Sequence, residues 1–386
     1  MTTYTARVSR TIEARREMVF EMLTQASGLR EWFCVYAYTE PRKSGRWQIR
    51  WRSGVLAYGT YTRFIPSQKV AFTWNVVGEP GENQVQIALK EEDGATRVVL
   101  SHSDIRRAAN MKSIELEWSA ALDNLKSVLE TGIDQRSAHL PRIGLGFESA
   151  EGNQGVRVTF VMPEGPAAQV GLEKEDIMTS FCGHRLYTAE DFMNVYMTCR
   201  AGQHVRVVYL RGQKRHTANV ELGARLLPQI PADTATLIEQ VDSAHRQALS
   251  GLRDCLQNLS DEAAAQPPVE GEWSVLQVLG HLCASERAFQ SWVADTVLGR
   301  ETGWIEARLT EQLAVVSATA PTFSLLLEHL ERDLLESRSM VAAMTREHLA
   351  YKMRYRRIAR MLLDFAGHIQ IHTQQIQWTV QALREK

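Results

Sequence analysis

Residues 358–383 carry an apolar pattern of helical period, with no proline and one glycine, Gly367. An unbroken run of that length predicts a helix of about seven turns. A helix so long must bury its apolar stripe against other helices, which sets the architecture of this end of the chain. Within it, His368 and His372 lie four residues apart, so they share a face at roughly 5–6 Å between Cβ atoms. Two imidazoles so placed can hold one divalent metal ion and need a third ligand from another element. The best candidate is His281, inside a second predicted helix that follows Glu272-Trp273-Ser274. Any one of these histidines alone reads as a structural residue on a polar seam; the set of three points to a metal.

At 386 residues the chain is too long for one ordinary core and predicts two to four domains. Its 44% apolar and 23% charged residues fit a globular protein. A net charge of −1 gives no global field toward nucleic acid or an acidic membrane, so neither is expected as a partner. No apolar run reaches the roughly 18 residues that span a bilayer, and no apolar segment follows Met1-Thr2-Thr3-Tyr4 as a signal peptide requires. Cys34, Cys182, Cys199, Cys255 and Cys283 are scattered, odd in number and form no CxxC. That usage fits reduced thiols and a cytoplasmic location.

The first 134 residues read as strand, short helix, strand meander and long final helix. Trp47, Ile49 and Trp51 alternate with Arg46, Gln48, Arg50 and Arg52, a strand with an aromatic and a basic face. Further strands are expected at 59–64, 69–74, 84–89 and 96–102. Ile114, Trp118, Leu122, Leu125 and Leu129 form one helical stripe. With Leu29-Arg30-Glu31-Trp32-Phe33, Gly45-Arg46-Trp47, Gly59-Thr60-Tyr61, Val70-Ala71-Phe72-Thr73-Trp74 and Ser101-His102, this segment resembles the START-like (SRPBCC) superfamily, in the branch similar to activators of heat-shock ATPases. The resemblance implies a helix-grip α+β domain with a cavity for a small hydrophobic ligand between sheet and helix. Trp32, Trp47, Trp51, Phe72, Trp74 and Trp118 are its expected lining; the same residues also suit a packed core. His102, alone on a strand, reads as structural.

Residues 140–224 open with Gly144-Leu145-Gly146-Phe147, whose glycines allow positive φ and a backbone nest for an anion. Thr188 with Asp191 suggests a capping box, and 205–210 with 217–222 a hairpin around Gly212. The tetrapeptide followed by Gly165-Pro166-Ala167-Ala168, Gly171-Leu172, Asp176-Ile177 and Gly183 resembles a PDZ domain, a small β-sandwich or barrel-like fold. That implies capture of a protein C-terminus or peptide beside Leu145 and Phe147, its carboxylate on the 144–147 amides. A PDZ fold used only for packing or dimerisation is the alternative. Many bacterial members carry Gly where Glu175 stands, and no serine-protease motif accompanies the domain.

Residues 230–386 predict four long helices with long connections near 260–272 and 299–320, an all-α four-helix bundle that is not a simple hairpin repeat. Trp273-Ser274, His281-Leu282 with Glu286, and His368-xxx-His372-xx-Gln375-Ile376 resemble the DinB/YfiT-like metal-binding bundles. All three ligand positions implied by that resemblance are His here. All-nitrogen ligation suits Zn or Ni, and Asp364, one turn before His368, is expected to orient it. The resemblance implies thiol transfer onto an electrophile, or metal-assisted hydrolysis. Glu286, Tyr351 and Tyr355 are candidate bases, none fixed by spacing. The whole reads as a multidomain α+β protein: either a metal-dependent transferase or hydrolase acting on a small molecule, or a non-enzymatic ligand-responsive adaptor that senses through the first domain and signals through the PDZ groove.

Overall fold

The computed structural model describes residues 3–138, 140–224, 229–300, 313, 315–316 and 318–384. The connection expected at 299–320 lies largely outside these, as do His139 and Pro228. Two compact units form: Met1–Ile133 together with Gln229–Lys386, and Asp134–Pro228. The architecture is mixed α and β, with a large antiparallel sheet first, a strand-rich PDZ segment next and helices after it.

In the first unit, β1 (Tyr4–Ile12) is followed by α1 (Arg16–Thr24), α2 (Ala26–Trp32), β2 (Tyr36–Thr39), β3 (Arg46–Arg50), β4 (Leu56–Ile65), β5 (Lys69–Val76), β6 (Asn83–Glu92), β7 (Ala95–Ile105) and α3 (Ala108–Thr131). The strands make one seven-stranded sheet in the order β1-β7-β6-β5-β4-β3-β2. Alternation decides its faces: Trp47 and Ile49 on β3 are buried while Arg46 and Arg50 are exposed. Trp51, expected at the end of that strand, lies just past it and packs edge-on to Phe33 at 5.5 Å. The stripe of α3 puts Trp118, Leu122, Leu125 and Leu129 into the same core as the sheet's inner face. Arg10 of β1 grips Asp123 of α3 through both carboxylate oxygens, at 2.5 and 2.9 Å.

The second unit begins with α4 (Gln135–Ala138) and β8 (Pro141–Arg142). It continues through β9 (Leu145–Ser149), β10 (Val156–Val161), α5 (Pro166–Gln169), β11 (Ile177–Phe181), β12 (His184–Arg185), α6 (Ala189–Tyr196), β13 (His204–Arg211), β14 (Lys214–Glu221) and β15 (Gly223–Ala224). The main path of its sheet runs β14-β13-β11-β10-β9, which leaves β9 on an edge. Thr188 and Asp191 do form a reciprocal capping box on α6. Glu175, the departure from the usual glycine, takes φ 72°. The turn therefore keeps the left-handed conformation that glycine supplies elsewhere, at a cost of roughly 1–2 kcal/mol in backbone strain.

The bundle consists of α7 (Thr234–Leu256), short α8 (Asp261–Ala264), α9 (Val275–Val297), α10 (Phe323–Ala342), short α11 (Arg346–Ala350) and α12 (Lys352–Arg384). Its core divides into two apolar clusters. One takes Leu237 and Val241 from α7, Phe289 and Val293 from α9, Val341 from α10, and Ile358 and Leu362 from α12. The other takes Leu249 and Leu252, Leu279 and Leu282, Leu326 and Leu330, and Ile369 and Ile376. Read along each helix, α7 and α12 run one way and α9 and α10 the other. α9 and α10 are therefore parallel neighbours in the bundle.

The helix-grip portion and the bundle meet at the start of α12. Ala350, Tyr351 and Met353 pack on the core of the sheet portion. Arg354, nearly buried, donates from Nε to Glu31 of α2 at 2.7 Å and from Nη2 to Glu21 of α1 at 3.1 Å. Tyr351 donates its hydroxyl to the same Glu21, and the Arg354 guanidinium lies 4.2 Å from the Tyr351 ring centre. Burial pushes the Glu31 carboxyl above its ordinary range despite the pull of Arg354. Gly132 caps α3 at φ 72°, and a Cβ there would stand 2.5 Å from Arg356 Cδ and 2.7 Å from the Lys352 carbonyl oxygen. Glycine is required at this position by both backbone and neighbour. Removing Arg354 strands a buried carboxylate, so Arg354→Ala is expected to cost about 3–5 kcal/mol in urea unfolding. Glu31→Gln combined with Arg354→Met should recover most of that loss, and equal costs for the single and double variants would refute this account.

Candidate metal centre

His281 stands on the second turn of α9, a helix whose start is fixed by a capping box between Ser274 and Gln277. His368 and His372 stand on successive turns of α12. The bundle brings the three rings together. His281 Nε2 lies 3.2 Å from His368 Nε2, and His372 Nε2 lies 3.0 Å from His368 Nε2. One nitrogen from each of the three falls within 4.8 Å of the others. Three imidazoles cannot all be satisfied by one another here, because neutral rings offer one donor each and these edges converge. A tetrahedral zinc with bonds of about 2.0–2.1 Å sets its nitrogens roughly 3.3 Å apart. The donor set and spacing fit a divalent ion, with the half-exposed rings leaving one side open to solvent.

Electrostatics favour the neutral, ligating form. Burial and the neighbouring imidazoles hold His281 and His368 down to about 4, and burial also lowers His372. Gln375 Oε1 sits 2.8 Å from His372 Nδ1 and so fixes that ring with Nδ1 protonated and Nε2 free for a metal. The sequence motif contained Gln375, but no role was assigned to it from spacing. Trp273 lies tilted at 5.3 Å from His281 and Phe365 meets His368 edge-on at 5.3 Å, so two aromatic rings flank the site. Asp364 is not brought to the imidazoles. Its exposed carboxylate accepts from Arg360 Nε at 3.2 Å.

Two of the candidate bases are committed elsewhere. Tyr351 serves the Glu21 contact, and Tyr355 donates to the Pro231 and Asp233 carbonyls at 2.8 and 3.2 Å. Glu286 is fully buried at the level where the two apolar clusters meet, near Ser337, Asp333 and Arg338. Neither of its carboxyl oxygens meets hydrogen-bond geometry, and burial pushes the group up to about 7.

In the sheet portion, Trp32, Trp47, Phe72, Trp74 and Trp118, with Phe33, line a partly open cavity of about 30 Å³; Trp51, expected there too, packs on Phe33 and Trp74 without lining it. That is room for about one water. Phe33, which the sequence reading did not single out, is stacked between Trp32 at 4.8 Å and Trp118 at 5.3 Å. Trp118 Nε1 donates to His102 Nδ1 at 3.0 Å, which places the His102 proton on Nε2. In the second unit, Gly144 takes φ 77°, and Leu145 and Phe147 lie on the edge strand β9.

Three family models match the chain: "Activator of Hsp90 ATPase homolog 1-like protein" over residues 13–130, "PDZ domain" over 141–222 and "DinB superfamily" over 243–376. The chain carries these three domains in this order. The DinB superfamily is metal-associated, and this chain's DinB domain holds the three-His cluster. A curated Pseudomonas putida protein, a DegP-like probable periplasmic serine endoprotease, is 31% identical over 94 residues. That match covers 24% of this chain and 19% of the relative, so the chain spans about a fifth of it. Similar solved structures include a Mesorhizobium loti protein, 20% identical over 33% of this chain and 97% of that one, TM-score 0.31. The Aha1 dimer of Colwellia psychrerythraea is 23% identical over 34% and 98%, TM-score 0.30. DynU16, from the dynemicin biosynthetic locus, is 17% identical over 57% and 86%, TM-score 0.32. Among the described residues, no helix is long and apolar enough to cross a membrane.

Glu286 gives this domain a distinct pH signature. The folded chain keeps a proton up to about pH 7 that the unfolded chain releases near 4.5, so this carboxyl lowers stability as pH rises through that window. Relative to wild type, Glu286→Gln should gain on the order of 3 kcal/mol between pH 4.5 and 8. Urea unfolding across that range checks it, and a difference that stays flat with pH removes the assignment.

Proposed function

We propose that the DinB domain is a mononuclear divalent-metal centre, with zinc or nickel held by His281, His368 and His372, acting on a small molecule. The observation that carries this reading is that His368 Nε2 lies 3.2 Å from His281 Nε2 and 3.0 Å from His372 Nε2, with one nitrogen of each ring within 4.8 Å of the others. When bound, such an ion lowers the pKa of a coordinated thiol or water near neutrality. The chain's own residues supply the rest. His281 and His368 stay neutral at pH 7 because burial holds them down. Gln375 orients His372, and Trp273 with Phe365 limits water around the rings. With Tyr351 and Tyr355 held in contacts of their own and Glu286 fully buried in the bundle, no side-chain base is assigned. Metal-dependent transfer of a small thiol or hydrolysis therefore rests on the open side of the centre.

The two other domains bind rather than react in this reading. The edge strand β9 and the positive-φ Gly144 support capture of a C-terminal peptide by strand addition in the PDZ domain. The aromatic chamber takes a small apolar molecule only after its rings shift, since about 30 Å³ holds none as it stands. The five cysteines form no disulfide with one another, which supports a cytoplasmic location.

Elemental mass spectrometry of tag-free protein tests the centre. About one zinc or nickel per chain is expected, lost in His281→Ala and in His368→Ala with helical circular dichroism retained. A metal-free protein that stays so after reconstitution ends this reading.

A further inference from the structure

The contacts at the foot of α12 give that helix a second role. Its first turns are fastened to α1 and α2 through Arg354, Tyr351 and Met353, and its middle carries His368 and His372. The two histidines follow Arg354 by 14 and 18 residues on one uninterrupted helix, about 21 and 27 Å along its axis at ~1.5 Å per residue. Glu31, the residue Arg354 holds, immediately precedes Trp32 and Phe33. These two rings stack on each other and line the chamber.

Nothing larger than a water fits the chamber without moving a wall. Trp32 is pinned by its indole N–H to the Met22 carbonyl at 2.8 Å, and Asn124 donates to the Trp32 carbonyl at 2.6 Å. Phe33 is the half-buried ring of the stack, at the C-terminal end of α2. An apolar guest that takes the place of Phe33 between Trp32 and Trp118 displaces the residue that closes α2. Glu31 lies two residues before Phe33, and leaving Arg354 costs its buried carboxyl a charged hydrogen-bond donor while Arg354 keeps Glu21.

We infer that Arg354 couples the aromatic chamber to the three-His centre. An apolar molecule entering beside Phe33 shifts Glu31, the Glu31–Arg354–Glu21 clamp transmits the shift to α12, and the spacing of His368 and His372 against His281 changes. This inference rests on the metal reading above and adds a regulatory input to it. The coupling is reciprocal, because a guest that alters metal affinity must have its own affinity altered by the metal to the same factor.

The test uses the full chain, zinc, and 8-anilinonaphthalene-1-sulfonate as an apolar fluorescent probe. Zinc is titrated into metal-free wild type with and without saturating probe, and the probe is titrated with and without zinc. The expected result is at least a threefold weakening of zinc binding by the probe, matched by the same factor for the probe. Phe33→Ala should bind the probe more tightly with the linkage weakened, because the guest then fills the space of the missing ring without moving Glu31. Glu31→Gln combined with Arg354→Met should bind both ligands with the linkage gone. Independent binding in wild type overturns the inference, as does a probe that binds neither wild type nor Phe33→Ala. If zinc does not bind at all, the metal reading fails separately. Amide hydrogen exchange across residues 362–376 then decides the coupling: protection that changes on probe binding sustains it, and unchanged protection ends it.

Discussion

A guanidinium withdrawn from water fixes the geometry of the larger unit. Arg354 is tolerated in its buried position only because Glu31 and Glu21 meet it in hydrogen-bonded geometry. A buried pair of this kind contributes little net stability against well-packed apolar residues, yet it punishes any arrangement that separates the partners. Its worth here is orientational. It sets the rotation and height of α12 against α1 and α2, and the close approach of Arg356 and Lys352 to Gly132 follows from that placement.

The same logic runs through the bundle. Two apolar clusters would pack best as one continuous core, but His245 and Glu286 interrupt them, both fully buried. Burial drives each toward its neutral form, holding His245 down to about 4 and Glu286 up to about 7. The three metal-ligating candidates differ in being half-exposed. They keep their free nitrogens pointed at one another rather than into apolar packing, which is the arrangement a bound cation relieves.

Local rules made much of this readable from sequence. The four-residue spacing of His368 and His372 fixed their shared face before any tertiary contact was known, and alternation around Trp47 and Ile49 fixed which side of β3 is buried. The capping box at Thr188 followed from two side chains three residues apart. What sequence could not supply were contacts with no local signal. Glu31 and Arg354 meet across 323 residues, and nothing in either neighbourhood marks them as partners. Asp364 illustrates the converse: one turn before His368, it is equally one turn after Arg360, and the exposed cation offers the cheaper partner. Strand β2 escaped because four residues carry too little period to register, and the stacking of Phe33 on Trp118 is a contact with no local signal.

The distance in sequence between Glu31 and Arg354 has a temporal consequence. At 5–20 residues per second of synthesis, roughly 15–65 s separate the appearance of the carboxylate from that of its guanidinium. Through that interval the helix-grip portion can form its sheet, but the surface of α1 and α2 waits with Glu21 and Glu31 hydrated and the Tyr351–Met353 seat empty. A chain arrested within the bundle thus carries a helix-grip portion with an acidic, partly apolar face.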